Sequence, residues 1–77
     1  MTPKLIALAQ HAARIVIGAE ATPAEIHELT QTMSVRDWRD LAEGDRLGTP
    51  SLQEIGAARD YLALTAAVDR EAGLLAI

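Results

Sequence analysis

The side chains best suited to chemistry in this sequence are two histidines and eleven acids, because imidazole and carboxylate groups serve as general acids, bases and metal ligands. His11 lies among apolar residues near the N-terminus, and His27 is followed by Glu28. Neither histidine has a second one three or four residues away, which is the helical spacing of a zinc site. The sequence contains no cysteine, which excludes thiol catalysis, disulfides and zinc-finger ligand sets. We therefore expect no enzyme, no catalytic residue, no metal and no cofactor.

Residue types that commonly contribute to protein binding are clustered in the stretch Arg36-Asp37-Trp38-Arg39-Asp40. Tryptophan and arginine are among the residue types most enriched at binding hot spots. We predict that a protein partner contacts Arg36, Trp38, Arg39 and Asp40. In the alternative interpretation, Trp38 is the single large core anchor and its charged neighbours form a solvated helix face.

A second function class fits the same region. From Pro23 to Leu41 the pattern is a helix, a break near residues 32–34 and a second helix that carries Arg36 and Arg39 close to its N-terminal end, where a recognition helix reads bases. The break lacks the usual glycine, and the acids beside the two arginines would be repelled by phosphate. A dimeric helix-turn-helix DNA-binding regulator is therefore the alternative. A stoichiometric protein-protein interaction or regulatory module is the first interpretation.

Helix-start signals divide the chain into four elements. Thr-Pro dipeptides begin at Thr2, Thr22 and Thr49, and proline is favoured at the first helical position. Thr22 with Glu25 and Ser51 with Glu54 have the spacing of capping boxes, in which each side chain binds a free backbone N–H of the first turn. Ser34, followed three residues later by an acid, predicts a further start. Thr2 is predicted to be the N-cap of the first helix.

Composition agrees with a helical protein. Fifteen of the 77 residues are alanines, the best helix formers, and only Trp38 and Tyr61 are aromatic. We predict a single all-α domain over residues 1–77, with three short helices and a longer C-terminal helix. Because 49% of the residues are hydrophobic and a chain this short has a small core, we also expect a dimeric bundle.

The C-terminal helix has two apolar stripes and therefore needs two partners. The first stripe comprises Ile55, Ala58, Leu62 and Ala66; the second stripe comprises Tyr61, Leu64, Val68, Ala72 and Leu75. We predict that Tyr61, Leu64, Val68 and Leu75 form a homodimer interface. The helix is expected to end near Glu71, or at Gly73. The apolar tail, residues 74–77, either packs across the dimer or is read by a partner that captures an apolar C-terminus.

The first helix is expected to be mostly buried. Its main apolar stripe is predicted to comprise Leu5, Leu8, Ala12, Ile15 and Ala19, widened by Ile6, Ala9, Ala13, Val16 and Ile17. Polar residues interrupt this region, and its apolar run is too short to cross a bilayer. We expect neither a secretory signal nor a membrane span, and a cytoplasmic protein.

Charge is concentrated in the middle of the chain. The formal net charge is −4, and between Glu20 and Asp45 seven acids face only two bases, Arg36 and Arg39. An acidic segment lacks the basic footprint of nonspecific nucleic-acid binding. It favours solubility or a basic partner surface.

Overall fold

The computed structural model describes the backbone of residues 1–75 and the side chains of residues 1–73. Within that part of the chain the regular structure consists of four α-helices: α1 Thr2–Val16, α2 Pro23–Gln31, α3 Val35–Gly44 and α4 Leu52–Leu75. The predicted all-α fold, with three shorter helices and a longer last one, is confirmed. α4 has 24 residues and is about 36 Å long at 1.5 Å per residue. It continues through Gly73, so the predicted end near Glu71 is wrong.

Three helix starts form as their sequence signals predict. The Thr22 hydroxyl accepts a hydrogen bond from the Glu25 backbone N–H at 3.2 Å, and the Glu25 carboxylate accepts one from the Thr22 N–H at 3.1 Å. Ser34 and Asp37 make the same reciprocal pair at α3, as do Ser51 and Glu54 at α4. The start of α1 differs. Its N-cap is Met1, without a side-chain bond, and the predicted cap Thr2 is its first helical residue.

The end of α3 is a Schellman motif built without glycine. The Leu47 N–H bonds to the Ala42 carbonyl at 2.9 Å, and the Arg46 N–H bonds to the Glu43 carbonyl at 3.0 Å. Arg46 occupies the left-handed position with φ 60°. Gly44 is thus the last helical residue, and Arg46 takes the conformation that usually favours glycine. Leu47 packs against the core directly after the turn.

One apolar core joins the four helices, and α4 contacts each of the other three. The first stripe of α4 is buried, as predicted. Five of the ten buried hydrophobic residues are alanines, and such small side chains let helix axes approach closely. The buried hydrophobic set is Leu5, Ala9, Ala13, Ile26, Trp38, Ala42, Ile55, Ala58, Leu62 and Ala66.

Only part of the predicted apolar face of α1 is buried. Leu5, Ala9 and Ala13 face the core, whereas Ile15 is 72% exposed and Val16 is 71% exposed. The prediction of a mostly buried helix is therefore wrong. Nearly every face of α1 carries apolar residues, so periodicity alone does not select one, and the face with two alanines is the one that packs against its neighbours.

Arg59 links α4 to the turn between α2 and α3. Its guanidinium Nη2 donates a hydrogen bond to the Met33 carbonyl at 2.5 Å, across 26 residues of chain. The side chain is half-buried. This bond fixes the short connection from Thr32 to Ser34 against the longest helix. Sequence reasoning assigned Arg59 no role, since nothing local marks a long-range contact.

Candidate protein-interaction surfaces

The outer face of α3 brings three of the four predicted partner-contact residues together. Arg36, Arg39 and Asp40 are all exposed, and their spacing in a helix places them on the side opposite Trp38, with Glu43 beside them. The Asp37 carboxylate caps the start of α3, where it accepts a hydrogen bond from the Ser34 backbone N–H at 2.9 Å. The outer face of α3 therefore carries two guanidinium groups next to carboxylates of neighbouring turns.

Trp38 does not belong to this surface. Its indole is 0% exposed and lies in the core cluster, so the assignment of Trp38 to partner contact is corrected to the alternative interpretation, a core anchor. The reason is helical geometry, because residue 38 projects from the face that packs on α1 and α4. Among the described residues, the indole Nε1 has no hydrogen-bond partner.

The second stripe of α4 is uncovered. Tyr61 is 49% exposed, Leu64 is 64% exposed and Val68 is 57% exposed, and Ala72 is also exposed. These residues recur at helical spacing on one side of the helix, next to the buried first stripe. The side chain of Leu75, the fifth member, lies outside the described residues, as does the rest of the tail at 76–77. The exposed part alone forms a continuous apolar face over about three turns.

Beside this face, α1 and α4 enclose a shallow apolar groove of about 340 Å³. It is lined by Pro3, Ile6, Ala7 and Gln10 of α1 and by Tyr61 of α4. A smaller neighbouring groove, lined also by residues of α2, contains residues 10 and 14 of α1 and residues 62 and 65 of α4. From the first groove to the second, the residue numbers therefore increase in both α1 and α4. This order indicates that α1 and α4 run in the same general direction. Sequence reasoning missed this groove, since it depends on which face of α1 is buried.

The last described turns of α4 extend past the core. Ala66 is its last buried residue, and every residue from 67 to 73 is exposed. We call residues 67–73 the overhang. On the continuation of the first stripe the overhang carries Asp69 and Gly73, whereas Val68 and Ala72 continue the second stripe. Its apolar face is thus aligned with the uncovered stripe and not with the core.

The two histidines lie on different helices, His11 on α1 and His27 on α2. His11 is exposed in a shallow groove that also contains Lys4 and Asp45. His27 is half-buried on α2, and within the described chain its Nδ1 has no hydrogen-bond partner. No group of three or more metal-ligating side chains is found over the described residues. No helix in this region is long and apolar enough to cross a membrane.

Comparisons with protein-family models, with curated proteins and with solved structures give no match to this chain.

Proposed function

We propose that this protein is a small non-enzymatic interaction or regulatory module that acts by stoichiometric binding to a protein partner, and that it works as a homodimer. The observation that carries the proposal is the uncovered second stripe of α4, where three large apolar side chains are each about half exposed or more. Exposed apolar surface of this kind, bordered by charged residues, is typical of protein interfaces.

The proposal divides the molecule into two surfaces. The second stripe mediates self-association through Tyr61, Leu64 and Val68, with Leu75 expected to extend it. The outer face of α3, with Arg36, Arg39 and Asp40, then remains available to a protein partner. Arginine is the side chain of this face that most often contributes binding energy, since its planar guanidinium forms paired hydrogen bonds with carboxylates.

The first experiment is the solution mass, measured by light scattering across a hundredfold range of concentration. We expect a dimer for the native chain and a monomer for Leu64→Glu, because a carboxylate in the interface would be desolvated without a partner. Leu52→Glu is the matched control: Leu52 is also 64% exposed and lies on α4, but on another side of the helix. If Leu64→Glu keeps both the native mass and the native melting temperature, the second stripe is not an interface.

The alternative function is DNA binding by a dimeric helix-turn-helix spanning Pro23 to Leu41. One observation favours it, namely that α2 and α3 are separated by only three residues and that Arg36 and Arg39 are exposed near the start of α3. The surrounding surface opposes it, because exposed carboxylates lie on both helices. Retention on heparin that weakens with salt and is lost in Arg36→Ala would favour DNA binding over protein binding.

A further inference from the structure

We infer that the second occupant of the α4 face is another copy of this chain, docked antiparallel, so that the overhang of each copy lies along the α1–α4 groove of the other. The inference rests on the proposed function and specifies the geometry of its self-association. Three observations support it: the spacing of residues along α4, the position of one carboxylate, and the match between overhang and groove.

The exposed face of α4 has the spacing of a two-helix seam. Ala57, Tyr61, Leu64, Val68 and Glu71 are separated by steps of four, three, four and three residues, which is the alternation of facing positions in a coiled coil. All five are exposed. We call these five residues the seam. A second helix of matching pattern therefore fits along them over about 20 Å, at 1.5 Å per residue.

The single charged member of the seam selects the direction of the second helix. In a parallel pair each seam residue faces its own copy, which would place Glu71 against Glu71 in a partly desolvated layer. In an antiparallel pair centred near Ala66, Glu71 faces Tyr61 of the second copy, and Leu64 faces Val68. The Tyr61 hydroxyl can then donate a hydrogen bond to the Glu71 carboxylate. The antiparallel arrangement thus gives the carboxylate a donor and avoids the repulsion between two Glu71 side chains.

Shape leads to the same arrangement. An antiparallel partner centred near Ala66 places its overhang beside residues 59–65 of α4, next to the open groove lined by Pro3, Ile6, Ala7 and Tyr61. Twofold symmetry repeats the contact, so each copy supplies one overhang and one groove, and the assembly closes as a dimer. In a parallel pair the two overhangs would meet beyond the cores and both grooves would stay empty.

Cysteine cross-linking tests the direction, and the chain has no cysteine of its own to interfere. Tyr61→Cys and Glu71→Cys are prepared separately, with masses made distinguishable by a tag on one, and are oxidised alone and after mixing. In the antiparallel dimer, residue 61 of one copy lies about 15 Å along the helix axis from residue 61 of the other copy, and it faces residue 71 of that copy. A disulfide requires the two Cα atoms to lie within about 7 Å, so only the 61–71 pair can form one. We expect the mixture to give a mixed disulfide dimer and each variant alone to stay uncrosslinked.

The outcomes separate the geometry from the underlying function. Efficient cross-linking of each variant with itself, in a chain that scatters as a dimer, overturns the antiparallel arrangement and leaves self-association standing. A native chain that stays monomeric over the whole concentration range overturns both. Mixed disulfides that form in preference to self-linked ones, from a dimeric chain, support the proposal. Circular dichroism of each variant verifies that helical content is retained.

The groove contact has its own test, because it involves a helix outside the seam. Ala7 is exposed and lines the groove, so Ala7→Glu would place a carboxylate beneath the second copy's overhang. We expect the dimer dissociation constant to rise about tenfold or more, which corresponds to about 1.4 kcal/mol. Ala24→Glu, at an exposed alanine of α2, is the matched control and should leave the constant unchanged. If Ala7→Glu behaves like this control, the overhang does not occupy the groove.

Discussion

At the residue scale, Trp38 shows how the core tolerates an imperfect contact. Burial of an indole removes roughly 150–250 Å² from water, which stabilises the fold by about 4–6 kcal/mol at 25 cal/mol per Å². A buried N–H without a partner costs about 1–3 kcal/mol. The apolar gain is the larger of the two, so the tryptophan is stable in the core even though its Nε1 finds no acceptor among the described residues.

Arg46 carries a local cost that a substitution should remove. A non-glycine residue in the left-handed region is destabilised by roughly 1–2 kcal/mol, and Arg46 has φ 60° at the end of α3. We expect Arg46→Gly to raise the melting temperature by about 4 °C, after part of the gain is lost to the greater freedom of glycine in the unfolded chain. Thermal denaturation followed by circular dichroism measures the shift.

The neighbouring residue provides a control for Arg46→Gly. Asp45 has φ −102°, which any residue adopts, so Asp45→Gly adds only freedom to the unfolded chain and should lower the melting temperature. Equal shifts in the two variants would show that the left-handed conformation of Arg46 carries no special cost.

At the scale of elements, three of the four helix starts were predicted correctly and the packed faces only partly so. A capping box is complete within four residues, so Thr22 with Glu25 specifies its bonds wherever the helix lies in the fold. Which side of a helix is buried depends on its neighbours. The first stripe of α4 was predicted correctly because most of the large apolar residues of that helix lie on two stripes. In α1, apolar residues lie on nearly every side, so the sequence does not select the buried one. The α1–α4 groove could not be predicted until the face of α1 was known.

The bond from Arg59 to the Met33 carbonyl should contribute to the stability of the whole bundle, because it joins α4 to the α2–α3 turn. A hydrogen bond to a charged group contributes about 1.5–3 kcal/mol when buried, and partial exposure reduces that figure. We expect Arg59→Ala to lower the free energy of unfolding by about 1–2 kcal/mol, as measured by urea denaturation.

Arg70→Ala is the control for Arg59→Ala. It removes a positive charge from α4 without removing the hydrogen bond to Met33. Arg70 is exposed in the overhang, so its substitution should change the stability of the monomer little. A loss as large as that of Arg59→Ala would mean that helix charge, and not the Met33 contact, is responsible. Leu64→Glu in the background of both variants keeps dimerisation out of the comparison.

At the scale of the whole molecule, stability and assembly are expected to be linked. Only the folded chain presents the seam, so association draws the equilibrium toward the folded state by mass action. We predict that the melting temperature of the native chain rises with protein concentration, whereas that of Leu64→Glu does not. Calorimetry at several concentrations checks this, and parallel, concentration-independent behaviour of the two proteins would contradict it.

The position of α4 in the chain also affects how the protein is made. Ribosomes release the N-terminal part first, so α1, α2 and α3 emerge before the helix that contacts all three. Until residues 52–66 have left the exit tunnel, Leu5, Ile26 and Trp38 lack the surface on which they pack. The nascent chain is therefore expected to hold α1, α2 and α3 in a loosely packed state, which chaperones would recognise, until α4 has emerged.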